Sequence, residues 1–368
     1  MILILTQCFP PTIGGIELLM KGLADGVAAR GFKVAVYADS RRDMLEEKAD
    51  SQAAYSVRRF GGFKPLRRRR KARAVAAALA RGGISGIFCD SWKSAEYTAR
   101  AARHSAVPVV ALAHGSELLE PMGTFKRGRI RRTLRECHRV IANSMDTAAR
   151  VKALGIDPTR ISLVYPGVSK PRRADPSTAK AVPGGHPRLL TLSRIETRKG
   201  LGQVLRCLPD LIGQYPELSY VIGGDGPEKA RLRALATQLK VSRHVHFLGW
   251  LNDEEKADVL TDCDVYVMPV IKPNGQRSVE GFGLAYIEAG YFGVPCIAGM
   301  YGGAVEAVID GETGIICDGE NVDELAAAIR RCLEDDELRR RLGNTARRRA
   351  ENEFTWDKAV VRYLECLR

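Results

Sequence analysis

The chain has 368 residues, 45% hydrophobic and 27% charged, with 57 Lys and Arg against 43 Asp and Glu. That length exceeds what one hydrophobic core usually serves, so two domains are expected in a soluble globular protein. The longest apolar runs, such as Ala106–Ala113, are far too short for a membrane span. The charge is uneven: residues 1–173 hold 32 basic against 14 acidic side chains, whereas 174–368 hold 25 against 29. A basic half joined to a nearly neutral half points to one domain that meets a polyanion, although a solubilising surface would look the same.

Taken in chain order, the pattern is strand, loop, helix, repeated. Met1–Phe9 has no basic leader and runs directly into an apolar strand, Ile2–Leu5, so no signal peptide is expected. A Pro/Gly loop, Pro10-Pro11-Thr12-Ile13-Gly14-Gly15, opens an amphipathic helix from Glu17 to Ala29. Gly14 and Gly15 let the backbone approach a ligand at a helix start, where unpaired N–H groups favour phosphate; they can equally make only a tight turn. The loop is neither a P-loop nor a G-x-G-x-x-G fingerprint. Strands follow at Val34–Tyr37, Ile84–Phe88, Val107–Leu112 and Arg139–Ala142. His114 stands just past one of these, where a ligand-facing and a purely structural histidine are both possible. Two basic clusters, Lys64 with Arg67–Lys71 and Arg73, and Lys126, Arg127, Arg129, Arg131, Arg132 and Arg135, lead into helical stretches. Ser144 is outside any G-x-S-x-G, so a hydrolase elbow is unsupported.

Between Pro166 and Pro187, five prolines and Gly184-Gly185 make an extended connector. A second series begins at strand Leu189–Leu192 and continues through Ser193-Arg194-Ile195-Glu196-Thr197-Arg198-Lys199-Gly200 into a helix over Leu201–Ile212. Arg194 and Lys199 suit a diphosphate, one as a planar fork and the other as a point charge. Tyr220–Ile222 ends in Gly223-Gly224-Asp225-Gly226-Pro227, with Pro227 expected in the first turn of the next helix. Strands at Val245–Leu248, Val265–Met268 and Pro295–Ala298 complete the series, and the tail is helical over Val322–Leu333, Glu337–Glu351 and Trp356–Leu367. The segment Ser278–Ala289 places Glu280 and Glu288 eight positions apart around Gly281, Phe282, Gly283 and Leu284. If wholly helical it would cover about 12 Å, roughly the reach from a hexose across a diphosphate to a ribose. Asp262-Cys263-Asp264 matches D-x-D but reads as a helix-to-strand turn, and His244 with His246 lacks a third metal ligand. Nine scattered cysteines without C-x-x-C suggest a reducing cytoplasm.

Apolar strands alternating with helices imply α/β architecture: two Rossmann-like, doubly wound parallel-sheet domains facing a central cleft, with ligands at the carboxyl ends of the strands. The expected limits are 1–170, a linker at 171–187 and 188–352, with a last helix over about 353–368. A polyanion-binding protein remains a reading of another class, against which stands the lack of any helix-turn-helix, zinc-finger or aromatic stacking motif.

These segments together resemble the retaining GT-B glycosyltransferases of family 4, also called group 1. The resemblance runs from Phe9–Glu17 through His114-Gly115, Tyr165–Val168, Ser193-Arg194, Lys199-Gly200, Gly223–Pro227, Phe247–Gly249 and the E-x7-E of Glu280 and Glu288 to Phe354–Trp356. The stretch Pro273–Gly299 is most similar to bacterial phosphatidylinositol mannosyltransferases that use GDP-mannose. The resemblance implies transfer of a hexose (mannose, glucose or N-acetylglucosamine) from a GDP- or UDP-sugar, with no metal and no cofactor. It implies that Arg194 and Lys199 bind the leaving diphosphate, that Glu288 takes the ribose, and that Glu280 with the Gly281–Leu284 backbone takes sugar and phosphate. His114 would lie beside the sugar, Gly15 near the β-phosphate or acceptor, and Leu251 and Asp253 at the base. The resemblance, and not the spacing, returns the last helix to the first domain. A sugar epimerase or phosphorylase of the same fold is the neighbouring enzymic reading. The acceptor expected is a glycan or lipid-linked cell-envelope molecule, met by a cytoplasmic protein peripheral on the inner membrane face through its basic clusters, with a small soluble acceptor as alternative.

Overall fold

The computed structural model describes residues 1–12, 14–40, 45–119, 122–172, 184–272 and 278–368. Residue 13, most of the expected linker and residues 273–277 lie outside the described residues. Contacts divide the chain into two units, Met1–Gly167 with Thr355–Arg368, and Val168–Phe354.

The first unit is built on a seven-stranded parallel sheet in the order β3-β2-β1-β4-β5-β6-β7. Its strands are β1 Ile2–Thr6, β2 Val34–Asp39, β3 Ser56–Phe60, β4 Gly86–Cys89, β5 Val109–Ala113, β6 Arg139–Ala142 and β7 Ile161–Leu163. The central runs, such as Ile-Leu-Ile-Leu in β1, are apolar on both faces because helices cover both. One face carries the helices Lys64–Ala80, Trp92–Ala102 and Thr124–Glu136, which place Val75, Ala95, Ile130 and Leu134 in the core. The other carries Gly15–Ala29 and the C-terminal helix Trp356–Glu365. Two glycines in the former make room for the latter. A Cβ at Gly22 would stand 2.1 Å from the Trp356 ring, and one at Gly26 would stand 2.4 Å from Val360. Leu19, Met20 and Leu23 then close a core with Val360 and Tyr363.

The second unit has a six-stranded parallel sheet in the order β10-β9-β8-β11-β12-β13. Its strands are β8 Arg188–Leu192, β9 Ser219–Gly223, β10 Val245–Gly249, β11 Val265–Met268, β12 Cys296–Gly299 and β13 Gly314–Cys317. The strongly one-sided helices Leu201–Gln214 and Val322–Glu334 cover one face with Leu205, Leu208, Leu211, Ile329 and Cys332.

Three strands escape the sequence pattern: β3, β7 and β13, all at a sheet edge. β3 (Ser-Val-Arg-Arg-Phe) alternates rather than running apolar, since an edge strand buries less. Several expected positions shift, a strand and a proline among them. The expected strand Ile84–Phe88 becomes β4 at Gly86–Cys89. Pro227 lies before the helix Lys229–Gln238 rather than in its first turn, because the Gly224–Gly226 loop is held on the β8 loop by Ile195 N–H to Asp225 O at 2.9 Å.

Candidate functional site

In the second unit the loop after β8 folds as a short 3-10 turn, Thr197–Lys199, ended by Gly200 in a left-handed conformation with φ 73°. Glycine is required there twice over, since a Cβ would also stand 2.1 Å from Pro269 O. Ile271 N donates to Arg198 O at 3.0 Å, so the turn is clamped onto the segment following β11. Clamping buries Lys199 and aims it at Glu280. Lys199 Nζ reaches Glu280 Oε2 at 2.5 Å and Arg198 Nη1 reaches the same oxygen at 2.7 Å. Arg198 Nε also binds Glu196 Oε2 at 3.0 Å, and Arg194, largely exposed, binds Glu196 Oε1 at 3.1 Å. The result is a chain of alternating charge: Arg194, Glu196, Arg198, Glu280, Lys199. Burial pushes the Glu280 carboxyl up, but Lys199 and Arg198 outweigh it, so its pKa falls below the ordinary value and it stays ionised. Burial lowers the Lys199 pKa, with Glu280 opposing.

Glu280 precedes the helix; it is not within it. The helix runs Leu284–Tyr291, with Gly283 as its N-cap at φ 99°. The span between the two glutamates is therefore not wholly helical: Gly281 and Gly283 carry the chain from Glu280 to the helix start, where the sequence had set them. Gly303 N donates to Glu280 O at 2.9 Å, and a Cβ at Gly303 would stand 2.3 Å from Gly281 O, so the loop after β12 presses on this turn. Phe282 is buried against Phe354, ring centroids 5.4 Å apart. Tyr286 donates to Met268 O at 2.5 Å and anchors the helix over β11.

Glu288 belongs to a second cluster. Lys256 Nζ lies 3.0 Å from Glu288 Oε1 and 3.0 Å from Asp253 Oδ1. Burial raises the Glu288 pKa, with Lys256 opposing. Asp253 opens the helix Asp253–Thr261, capped by Asn252, and Leu251 is buried where a Cβ at Gly223 would stand 2.8 Å away. The structure thus joins Lys199 to Glu280, links Arg194 to them through Glu196, and groups Glu288 with Asp253. The charged partners Glu196 and Arg198 lay inside the motif already read. Lys256 had no signal beyond its three-residue spacing from Asp253.

In the first unit, Asp90 at the end of β4 is a buried hub. Its carboxylate accepts from Thr6 Oγ1 at 3.0 Å, Gln7 N at 2.6 Å, Ser91 Oγ at 3.0 Å and Ser94 Oγ at 2.6 Å. Its carbonyl meets His114 Nε2 at 2.7 Å. A carbonyl only accepts, so Nε2 donates and a neutral ring keeps its lone pair on Nδ1. Gly14 caps the helix Gly15–Ala29 in extended conformation, and a Cβ there would stand 2.4 Å from Glu17 Oε2. No single residue type announced the Asp90 hub, whose members come from the ends of β1, β4 and β5.

The basic clusters divide. Lys71 is inside the unit, bound to Asp39 at 2.7 Å and Thr6 O at 2.7 Å, which corrects its placement with the surface cations. Arg67 also binds Asp39, at 2.9 Å, and Arg129 binds Glu96 at 2.7 Å. Lys64, Arg69, Arg73, Arg131 and Arg132 remain exposed. The motifs set aside in the sequence have structural roles: Asp262 and Asp264 hold Arg188 at the start of β8, His244 binds Leu218 O, and Ser144 caps the helix Met145–Ala153.

Two family models match the chain: Glycosyltransferase Family 4 over residues 13–171 and Glycosyl transferases group 1 over 175–349. It is similar to a GDP-mannose-dependent alpha-(1-6)-phosphatidylinositol monomannoside mannosyltransferase of Mycolicibacterium smegmatis, at 29% identity over 99% of this chain and 97% of the relative. A GDP-mannose-dependent monoacylated alpha-(1-6)-phosphatidylinositol monomannoside mannosyltransferase of Corynebacterium glutamicum is also 29% identical, over 96% and 94%. Among solved structures, Anabaena HepE in complex with UDP has a TM-score of 0.82 at 22% identity, covering 100% of this chain and 99% of that one. Sucrose-phosphate synthase of Thermosynechococcus elongatus has a TM-score of 0.82 at 21% identity, covering 99% and 97%. These structural neighbours share the GT-B fold. With a family model on each sheet-bearing half and full-length relatives of one activity class, the chain belongs to the family 4, group 1, glycosyltransferases.

Proposed function

We propose that this glycosyltransferase moves a hexose from a GDP- or UDP-sugar to a lipid-linked acceptor with retention at the anomeric carbon, GDP-mannose being the leading donor. The observation that carries the reading is the buried Lys199–Glu280 pair at 2.5 Å, set beside the glycine turn that opens the helix Leu284–Tyr291. A diphosphate draws Lys199 and the exposed Arg194 onto its oxygens, with the Gly281–Leu284 amides at the helix start. Glu280 then accepts from sugar hydroxyls and Glu288 from the ribose, with Leu251 and Asp253 beside the base. On the first unit, His114 offers Nδ1, and Gly14 and Gly15 an accessible backbone, to the acceptor. In the reaction the acceptor oxygen bonds to the anomeric carbon as the bond to phosphate breaks, on one face. The acceptor proton passes to the departing phosphate oxygen. Positioning and charge stabilisation at the diphosphate supply the rate, and the two cations stand where other enzymes use a metal.

The acceptor side rests on the first unit's charge and on the phosphatidylinositol mannosides named for the relatives. Phe63, Leu66 and Phe125 are 73%, 56% and 78% exposed at helix starts that also carry Lys64 and Lys126, an arrangement suited to an anionic bilayer at the inner face of the membrane. Among the described residues no helix is long and apolar enough to cross a membrane.

A thermal-shift panel with GDP-mannose, UDP-glucose, UDP-N-acetylglucosamine and the bare nucleotides tests the donor. One responder that Glu288→Ala abolishes supports the reading; no response to any nucleotide removes it. Undiminished turnover in EDTA is the expected result for metal independence, and salt-sensitive co-sedimentation with anionic vesicles is expected for the membrane surface. Vesicle binding without transfer would favour a polyanion-binding role.

A further inference from the structure

Glu280 holds two cations on one oxygen, and they differ in kind. Lys199 brings a point charge on a flexible stem. Arg198 is a planar fork whose backbone is pinned by Ile271 N, whose Nε is held by Glu196 at 3.0 Å, and whose Nη1 is spent on Glu280 at 2.7 Å. Its side chain is only 13% exposed, against 62% for Arg194. The two phenols whose pKa values feel the Glu280 charge donate elsewhere, Tyr266 to Leu192 O at 2.9 Å and Tyr286 to Met268 O at 2.5 Å. Among the described residues the other hydrogen-bond acceptor of Lys199 Nζ is Met268 Sδ at 3.5 Å, a weak one.

A donor diphosphate therefore sets a conflict. If Lys199 turns to phosphate, the buried carboxylate loses one of its two cations, and an unpaired buried carboxylate is costly. We infer that Arg198 is a positioning residue, which keeps the Glu280 carboxylate in place for the sugar when Lys199 leaves it for the diphosphate. Glu196 is the brace that orients the Arg198 fork. This rests on the proposed function, since it assumes that Lys199 meets a diphosphate and Glu280 a sugar.

The test compares the full-length wild type with Arg198→Gln, Arg198→Lys and Glu196→Gln. The readouts are affinity for GDP and for GDP-mannose, or the UDP pair if that responds, and the pH profile of kcat/KM. Arg198→Gln should leave affinity for the bare nucleotide within about threefold while weakening the nucleotide sugar by ~10-fold and kcat by ~10–100-fold. The acid limb of the profile should move to higher pH, because removing a cation raises the pKa of Glu280. Arg198→Lys should restore part of both effects. Glu196→Gln, which keeps the Arg198 charge, should shift them in the same direction by less, and it carries the test if Arg198→Gln does not fold. Equal loss for nucleotide and nucleotide sugar, or an acid limb that does not move, overturns the assignment of Arg198. A wild type that binds neither ligand overturns the transferase reading instead.

Discussion

The two sheets repeat one strand order around β1 and β8, yet charge is handled differently at their carboxyl ends. In the second unit each candidate carboxylate has its own cation: Glu280 has Lys199 and Arg198, and Glu288 has Lys256. Its helices Asp253–Thr261, Val322–Glu334 and Asp336–Glu353 open on acids, as the helix dipole favours. In the first unit the buried carboxylate of Asp90 is held by hydroxyls and an amide. The helices Lys64–Ala80, Trp92–Ala102 and Thr124–Glu136 have no acid in their first turns and carry Lys64, Lys93 and Lys126 there instead. Lys64, though exposed, is held below its ordinary pKa by some desolvation and then by Arg68, Lys93 and Arg67, so the cations of the first two of these helix starts feel one another. The second unit pairs these charges internally, which on the proposed function lets one partner be exchanged for a ligand. The first leaves positive charge where it opposes the helix dipoles, which an anionic partner would offset.

The largest expected effect breaks this comparison at its two buried lysines. Lys199→Met should cut turnover by ~10²–10³ while the fold survives, because Arg198 still pairs Glu280. Lys71→Met should act through stability, by about 3 kcal/mol, because Asp39 then loses a buried cation and Thr6 O a donor. Steady-state kinetics beside urea unfolding separates them, and equal kinetic losses at matched stability would erase the distinction. Next, Glu288→Ala should weaken nucleotide binding by ~10–100-fold, read by calorimetry, since the ribose loses its acceptor and Lys256 its buried partner.

A smaller effect sharpens the comparison through pH. Glu280 has a folded pKa below its ordinary 4.5, so it contributes stability above about that pH and loses it as pH falls through the lower folded value. Glu280→Gln should therefore be less stable than wild type at pH 7, and the gap should close in acid unfolding curves. The smallest effect concerns Lys64→Glu. It should weaken binding to anionic vesicles by about 1–2 kcal/mol and raise stability by a few tenths of a kcal/mol, the helix start having gained its favoured charge. Vesicle binding unchanged by this reversal would remove the first unit's cations from the membrane reading.

Much of the second unit's site is legible in the chain because its parts lie in loops between strong signals. Arg194 and Lys199 follow an apolar strand, and Glu280 precedes two glycines and an apolar helix. Their chemistry follows from residue type and from the position of βα loops. The partners are less legible. Lys256 meets Glu288 across 32 positions, and Asp90 meets Gln7 across 83. A lysine in a polar helix and an aspartate after a short strand look like many others. The edge strand Ser56–Phe60 was hidden because its pattern is set by one buried face, and Lys71 was hidden in a run of arginines that gives no sign of which one turns inward.

By itself, then, the sequence determined the alternation of apolar strands and one-sided helices, the division into a basic and a neutral half, and which loops carry charge. Those are properties of neighbouring residues and of periods two and 3.6, which the chain displays locally. Only the tertiary structure decided that Lys199 and Arg198 share one oxygen of a glutamate 81 and 82 positions away, and that Glu280 stands before its helix. It also decided that Lys71 is buried while Lys64 is not. Those facts depend on sheet order and on glycines such as Gly200 and Gly303, whose missing Cβ atoms let distant loops close to hydrogen-bonding range.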